Sequence, residues 1–543
     1  DTEKTRLQLE TARIVKIVAS AAIALCLLLA AFYIATRGDW LDGILAGLTL
    51  AMAILPEEFP VVLTVFLALG AWRIAGHGVL TRRMPAIETL GAATVLCVDK
   101  TGTLTENRMA LAETIAAGVE PARVVEAAAL ACEPEPFDPM ERAIVSAAGA
   151  NAHRLRTTWS LERDYPLTPE FLAVCHAWRS PAGERRVAIK GAAETVLALC
   201  GQDSAALGQA QDATERGLRL LAVAEATWDD APWPDDPRQY RFRWLGYVAL
   251  ADPLRGEVPE AVALCRRAGI RVVMITGDYP GTALAIARQA GLDAEGGALT
   301  GAEIAAMDDT ALAQAVRRVN VFARIRPEQK LRLVQAYKAD GEIVAMTGDG
   351  VNDAPALKAA HIGVAMGKRG TDVAREASAL VLLEDDFNSI VRTVRLGRRI
   401  YENIRNAMRY ILAVHVPTAG MSLLPVAFGW PLFLFPVHVV FLEFVIDPAC
   451  SSVFEAEASD EGAMQRPPRD PQEPLFNLGM LGVSLALGCS ALASVFLVYW
   501  WAVGAGRDEG ELRALGATDV RRLKTGVGCR GDAGLRHRAN LWL

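Results

Sequence analysis

The residues best suited to chemistry are Asp99-Lys100-Thr101-Gly102-Thr103-Leu104-Thr105-Glu106, which follow the apolar run Val95-Leu96-Cys97-Val98. A carboxylate at the carboxyl end of a buried strand, followed by a Gly/Thr turn, stands where open α/β sheets bind their ligands. Such a carboxylate can attack a phosphoryl group and form an aspartyl phosphate. Phosphoryl transfer also needs charge neutralisation, a metal and positioning. Gly348-Asp349-Gly350-Val351-Asn352-Asp353 ends a second apolar run and supplies further carboxylates. Asp99, the main-chain carbonyl of Thr101 and Asp349 make the hard oxygen set that Mg²⁺ takes. Thr276-Gly277-Asp278 offers a hydroxyl and amides for phosphate oxygens. Lys330, in Arg326-Pro327-Glu328-Gln329-Lys330, offers a point charge. Any one of these is commonplace as a turn or a solvated side chain; four in one α/β order, each at a strand end, are not.

These residues must be positioned by strands. Val272-Val273-Met274-Ile275 and Ile343-Val344-Ala345-Met346 read as buried parallel strands, each leading into Thr-Gly-Asp. Strand and helix signals alternate from 95 to 107 and again from 244 to 386, as in a doubly wound parallel sheet. Between these halves lies a module with strands and helices of its own, and the Trp/Pro/Asp-rich stretch 228–237 reads as its returning linker.

The chain has 543 residues, a formal charge of −7 and 52% hydrophobic residues. At ~150 residues per domain it holds several domains. Its nine cysteines form no CxxC pair, so neither a disulfide framework nor a zinc site is suggested. Apolar runs gather at both ends and leave a polar middle. The stretches 14–35, 40–74, 403–428, 432–454 and 475–503 read as five membrane spans, since ~20 apolar residues cross a bilayer. The second is interrupted at Pro56 and Pro60. A helix broken by proline frees backbone carbonyls for a cation, and intramembrane carboxylates are costly and usually functional. Glu57, Glu58, Glu443 and Asp447 are the acidic candidates, with His415 and Thr418 able to join them. After Arg507 the chain turns basic and Gly/Arg-rich, which reads either as a disordered tail or as a reading frame lost near Gly516.

The order of motifs, from about residue 7 to 499, resembles the P-type ATPases, in their calcium-pump-like branch. The copper and zinc branch carries cysteine where this chain has Pro56-Glu57-Glu58-Phe59-Pro60. The resemblance implies transmembrane helices plus a doubly wound parallel-sheet α/β phosphorylation domain with an inserted α+β nucleotide-binding domain. The expected organisation is two spans (1–80), phosphorylation domain (81–108 and 244–395), nucleotide-binding insert (109–243), three spans (396–506) and a tail (507–543). Asp99 is the implied nucleophile. Soluble haloacid-dehalogenase-like phosphatases usually carry, two residues after the nucleophile, an Asp that acts as acid and base. Here that residue is Thr101, so a long-lived phosphoenzyme is expected.

Within the insert, Lys190-Gly191-Ala192-Ala193-Glu194 resembles the family's nucleotide-site lysine motif. Glu141, in Asp138-Pro139-Met140-Glu141, matches its adenine-contacting acidic residue, and Arg219 the arginine near the phosphates. Tyr165 falls where an adenine-stacking aromatic is expected, with Glu170 where a lysine is usual. Arg324 is counted with the nucleotide set, and Asp252-Pro253-Leu254-Arg255 resembles the hinge motif. The implied cofactors are ATP and Mg²⁺, and the implied partners are a lipid bilayer and a transported cation. That cation is a divalent ion such as Ca²⁺ or Mn²⁺, with H⁺ or a monovalent ion as the alternative; neither nucleic acid nor an obligate protein partner is expected. Catalytic domains in the cytosol and a bacterial-type plasma membrane follow. No TGES-type actuator loop precedes residue 14, and the family's first and last spans have no counterpart. The sequence therefore reads as part of a pump, competent to phosphorylate Asp99 but not to complete a transport cycle. A membrane-tethered phosphatase and an inactive remnant are the competing readings.

Overall fold

The computed structural model describes residues 6–55, 57–202, 206, 208, 213, 217–229, 232–457, 461–470 and 473–507. The tail reading beyond residue 507 and the helix-breaking role of Pro56 lie outside them. The chain divides into two compact units, one of Asp1–Ala92 with Arg392–Leu543 and the other of Ala93–Val391.

The first unit is helical apart from a short strand, β1 (Val79–Thr81). Among the described residues, four helical segments are long and apolar enough to cross a membrane: Leu9–Arg37, Trp40–Ala75, Phe387–Ala427 and Leu478–Gly504. The second is interrupted, with one helix over Trp40–Ile54 and the next over Glu58–Ala75. Asp39 caps the first of these by accepting from the amides of Leu41 and Asp42. The stretch expected as a span over 432–454 differs in form. It runs as Pro436–Phe441, a π-helical turn over Leu442–Ile446, and Asp447–Ala456. A π turn inserts an extra residue per turn and interrupts the α ladder.

The second unit holds two sheets. It opens with β2 (Val95–Asp99), whose first four residues are buried, as expected of a central parallel strand covered on both faces. The insert then contributes β3 (Ala110–Ala116), β4 (Ser160–Tyr165), β5 (Ala173–Arg179), β6 (Arg185–Gly191), β7 (Arg219–Thr227) and β8 (Arg243–Ala251). These pair antiparallel in the order β3-β8-β7-β6-β5-β4. The boundary expected at residue 244 therefore falls after Ala251. β8 is the strand that joins β3 to β7, so its apolar residues complete the insert's sheet rather than the parallel one. The chain returns with β9 (Arg271–Ile275), β10 (Ala298–Thr300), β11 (Val321–Ala323), β12 (Val344–Gly348), β13 (Ile362–Met366) and β14 (Leu380–Leu382). Within this unit they form a parallel sheet ordered β14-β13-β12-β2-β9-β11-β10. β2 lies between β12 and β9, so the carboxyl ends of these three strands converge where strand order reverses. Cys97, Val273, Ile275, Phe322, Met346 and their neighbours form the core beneath that edge.

Candidate active site

The loop after β2 is shaped by local sequence. Asp99 receives the Thr101 amide on Oδ1 at 3.4 Å, and Gly102 takes φ +72°, a conformation that costs other residues. A side chain on Gly102 would also collide with Arg369, whose guanidinium lies 1.7 Å from the Cβ position. Thr105 closes the loop. Its hydroxyl donates to Asp252 at 2.6 Å, while Arg255 donates to the carbonyls of Thr105 and Gly102. The Asp252–Arg255 motif thus braces the loop after β2.

Asp99 is fixed from three sides. Its amide donates to Thr347 Oγ1 on β12 at 3.0 Å, and its Oδ2 accepts from Lys330 at 2.7 Å. Lys330 also reaches Asp353 Oδ1 at 2.7 Å. It sits in the first turn of the helix Pro327–Ala339, which proline at the first position favours. Burial opposes the charge on Lys330, but Asp99 and Asp353 outweigh it and hold the ammonium above its ordinary value. Asp353 is tied down in turn: its Oδ2 accepts from the amides of Asp349 and Gly350. Asn352 is exposed on the short turn Val351–Asp353.

At the end of β9, Thr276 is buried and accepts the Asp278 amide on its hydroxyl at 3.1 Å. Gly277 is exposed. Lys100 is buried and pairs with Asp278 at 2.6 Å. Arg324 lies alongside, its amide donating to the Asp278 carbonyl at 2.9 Å and its guanidinium 5.3 Å above the Tyr279 ring.

Asp349 faces Asp99 across this edge, and burial together with the charge of Asp99 raises its carboxyl above the usual range. That like charge, only partly offset by Arg369 and Lys330, with an all-oxygen donor set of Asp99, the Thr101 carbonyl and Asp349, fits a hard divalent cation. Arg369, missed in the sequence, acts as a partial stand-in. Its Nη2 lies 3.4 Å from the Thr101 carbonyl and 3.8 Å from Asp349 Oδ2. Asp385 accepts from its Nε and from the amides of Gly367 and Lys368. A basic residue in the loop after β13 was the available signal, but nothing local marks it as aimed at β2.

In the insert, Lys190 and Glu141 meet. Lys190 donates to Glu141 Oε1 at 2.6 Å and to the Ala131 carbonyl at 2.8 Å, and both side chains are buried. Gly191 is required by packing, since a Cβ there would lie 2.4 Å from the Leu172 carbonyl. Arg219 is exposed at the start of β7. Just before it, a Cβ on Gly217 would lie 2.8 Å from Thr282 Cα, so this chain runs beside the helix that follows Asp278.

Tyr165 is not brought to this group. It pairs with Cys175, which pairs with Ile189, whereas Lys190 pairs with Val174. Side chains alternate along strands, so Tyr165 and Lys190 face opposite sides of the sheet. Tyr165 is 5% exposed and its hydroxyl bonds Pro234 and Tyr240. An adenine-stacking role for Tyr165 is corrected to a core role.

In the helical unit, His415 and Glu58 approach at 3.7 Å, and His415 Nε2 lies 3.4 Å from the carbonyl of Leu55 at the helix break. Glu57, the neighbouring residue, is exposed, because adjacent helix positions point about 100° apart and buried Phe59 fixes the rotation. The hydroxyl of Thr418 donates to the Val414 carbonyl of its own helix. Glu443 sits in the π turn. The Asp447 side chain lies outside the described residues.

An aspartate held by lysine at the switch point of a parallel α/β sheet, with threonine two residues on, is the arrangement of a haloacid-dehalogenase-like domain. The family model for haloacid dehalogenase-like hydrolases matches residues 93–361, and that for the C-terminus of cation transporting ATPases matches 431–521. The probable cation-transporting ATPase F of Mycobacterium tuberculosis is 36% identical over 88% of this chain and 60% of its own length. The calcium-transporting ATPase of Bacillus subtilis is 33% identical over 92% and 63%. The mouse calcium-transporting ATPase type 2C member 2 is 31% identical over 84% and 53%. The chain thus spans about 60% of the length of the bacterial relatives. It belongs to the P-type ATPases.

Proposed function

We propose that this chain carries the catalytic and part of the transport machinery of an ATP-driven cation pump working through a phosphoenzyme at Asp99. The observation that carries the reading is Asp99 held by Lys330 at the sheet's switch point, with no acidic residue at position 101. A carboxylate oxygen of Asp99 bonds to the γ-phosphorus of ATP as the bond to the β–γ bridging oxygen breaks, and ADP leaves. Lys330 neutralises charge on the incoming phosphoryl group, and the Thr276 hydroxyl and the amides of Gly277 and Asp278 orient its oxygens. Asp99, Asp349 and the Thr101 carbonyl would hold Mg²⁺, which when bound offsets negative charge on the transferring group. Thr101 has no carboxylate to activate water, so the acyl phosphate persists. Lys190, Glu141 and Arg219 bind the nucleotide in this reading.

The cation is read as divalent, Ca²⁺ or Mn²⁺ first, because two relatives are named calcium-transporting and Glu58 lies near the helix break. The chain is read as multi-pass in a plasma membrane with its catalytic unit in the cytosol, where ATP is. The test is phosphorylation of the whole chain with ATP labelled at the γ-phosphate and Mg²⁺. The expected result is an acid-stable, hydroxylamine-sensitive label that vanishes in Asp99→Asn. No label, or equal label in the variant, would falsify the proposal.

A further inference from the structure

A second group of ligand-type side chains lies in the insert, outside the residues assigned above. Glu133, Asp164 and His176 each present one ligand atom, and these atoms lie within 4.8 Å of one another. Asp164 on β4 and His176 on β5 are direct cross-strand partners. They share the sheet face of Lys190, since His176 pairs with Ala188 and Lys190 with Val174.

His176 is wholly buried, and its two ring nitrogens differ. Nδ1 lies 3.2 Å from the Leu130 carbonyl, an acceptor only, so Nδ1 carries the proton. Nε2 is sealed from solvent and has no hydrogen-bond partner among the described residues, yet it stands 3.2 Å from Asp164 Oδ1. A ring lone pair and a carboxylate lone pair at that separation repel unless positive charge lies between them.

A metal ion resolves the contact. Two atoms each about 2.1 Å from a tetrahedral Zn²⁺ lie about 3.4 Å apart, close to the 3.2 Å seen for Nε2 and Oδ1. The Nδ1 contact to a carbonyl is the outer bond that metal-ligating histidines make. Glu133 and Asp164 are exposed, giving an entry route and room for a water at the fourth position.

We propose that His176 Nε2, Asp164 and Glu133 bind a divalent transition-metal ion of the Zn²⁺ class. One imidazole nitrogen with two carboxylates suits a borderline ion, whereas Ca²⁺ and Mg²⁺ take oxygen ligands. The site adjoins the residues read as nucleotide-binding. The Glu133 amide donates to Glu141 Oε2 at 3.3 Å, while Glu141 Oε1 holds Lys190. Drawing the Glu133 carboxylate onto a metal therefore acts on the backbone that orients Glu141.

The test uses the whole chain in detergent, stripped with a chelator and equilibrated with radioactive Zn²⁺. The comparison is the double variant Glu133→Gln, Asp164→Asn, whose exposed, isosteric changes spare the fold. Wild type is expected to bind about one equivalent more, or that equivalent at least about 10-fold more tightly. Co²⁺ is expected to give wild type a visible absorption band that the variant lacks. Equal Zn²⁺ stoichiometry and affinity in the two proteins, or no Zn²⁺ bound by wild type, overturns the site.

Discussion

At Asp99 the problem is to keep three carboxylates close together and still reactive. Lys330 bonds Asp99 and Asp353, and the backbone amides of Asp349 and Gly350 take the other oxygen of Asp353. Asp349 is left as the carboxyl whose repulsion by Asp99 is only partly offset, by Arg369 and Lys330. Replacing Lys330 with methionine removes the cation that bonds Asp99 Oδ2. Phosphoenzyme formation is then expected to slow by about 10²-fold, measured by rapid-quench labelling, and a near-normal rate would remove Lys330 from the mechanism. Asp349 gives a pH prediction with a definite sign. Its raised carboxyl keeps its proton to a higher pH than an ordinary aspartate, and a protonated carboxyl does not ligate Mg²⁺. Half-saturating Mg²⁺ for labelling should therefore climb as pH falls toward the carboxylate range, and begin to climb at a higher pH than an ordinary aspartate would give; a flat profile would contradict the assignment. Arg369 competes for the same oxygens. In Arg369→Ala, half-saturating Mg²⁺ is expected to fall by about 5-fold, in line with an exposed ion pair of about 1 kcal/mol.

At the scale of elements, the strands decide which residues meet. β12, β2 and β9 are adjacent and parallel, so motifs as far apart in sequence as Asp99 and Asp349 share one edge. This much was legible in the chain, because a buried parallel strand is an uninterrupted apolar run and its catalytic residue follows directly. The insert was harder to read. Its return strand, Arg243–Ala251, looks like any apolar strand, and only pairing with β3 and β7 assigns it to the antiparallel sheet. Tyr165 and Lys190 illustrate the same limit, since facing depends on register and a one-residue shift inverts it. Arg369 was invisible because its reach to Thr101 depends on Asp385, in the loop after β14. The faces make a paired prediction. Tyr165→Phe loses the bonds to Pro234 and Tyr240 and should cost about 1 kcal/mol of stability with nucleotide affinity unchanged. Lys190→Met should weaken nucleotide binding instead, measured by protection from a fluorescent analogue. Weakened nucleotide binding in Tyr165→Phe would restore the tyrosine to the nucleotide site.

At the scale of the whole molecule, the proposed pump requires that events at the helix break be felt at Asp99, although the two lie in separate compact units. The sequence favoured Glu57 over Glu58 as the ion ligand. Glu58 has a side chain only 11% exposed and faces His415, which itself reaches the Leu55 carbonyl. A carboxylate, an imidazole and a backbone carbonyl make a mixed set, and enclosed intramembrane carboxylates are costly and usually functional. Glu57 is exposed and lacks that enclosure. If the enclosed carboxylate senses the transported ion, neutralising it should abolish cation stimulation of phosphorylation, whereas neutralising its neighbour should not. A metal scan of phosphoenzyme formation in the whole chain tests this, with Glu58→Gln and Glu57→Gln compared side by side. Stimulation by Ca²⁺ or Mn²⁺ is expected in wild type and Glu57→Gln and lost in Glu58→Gln, while the Mg²⁺ requirement at Asp99 stays the same in all three. Loss in Glu57→Gln with retention in Glu58→Gln would reverse the assignment and put the ion on the outer side of the broken helix.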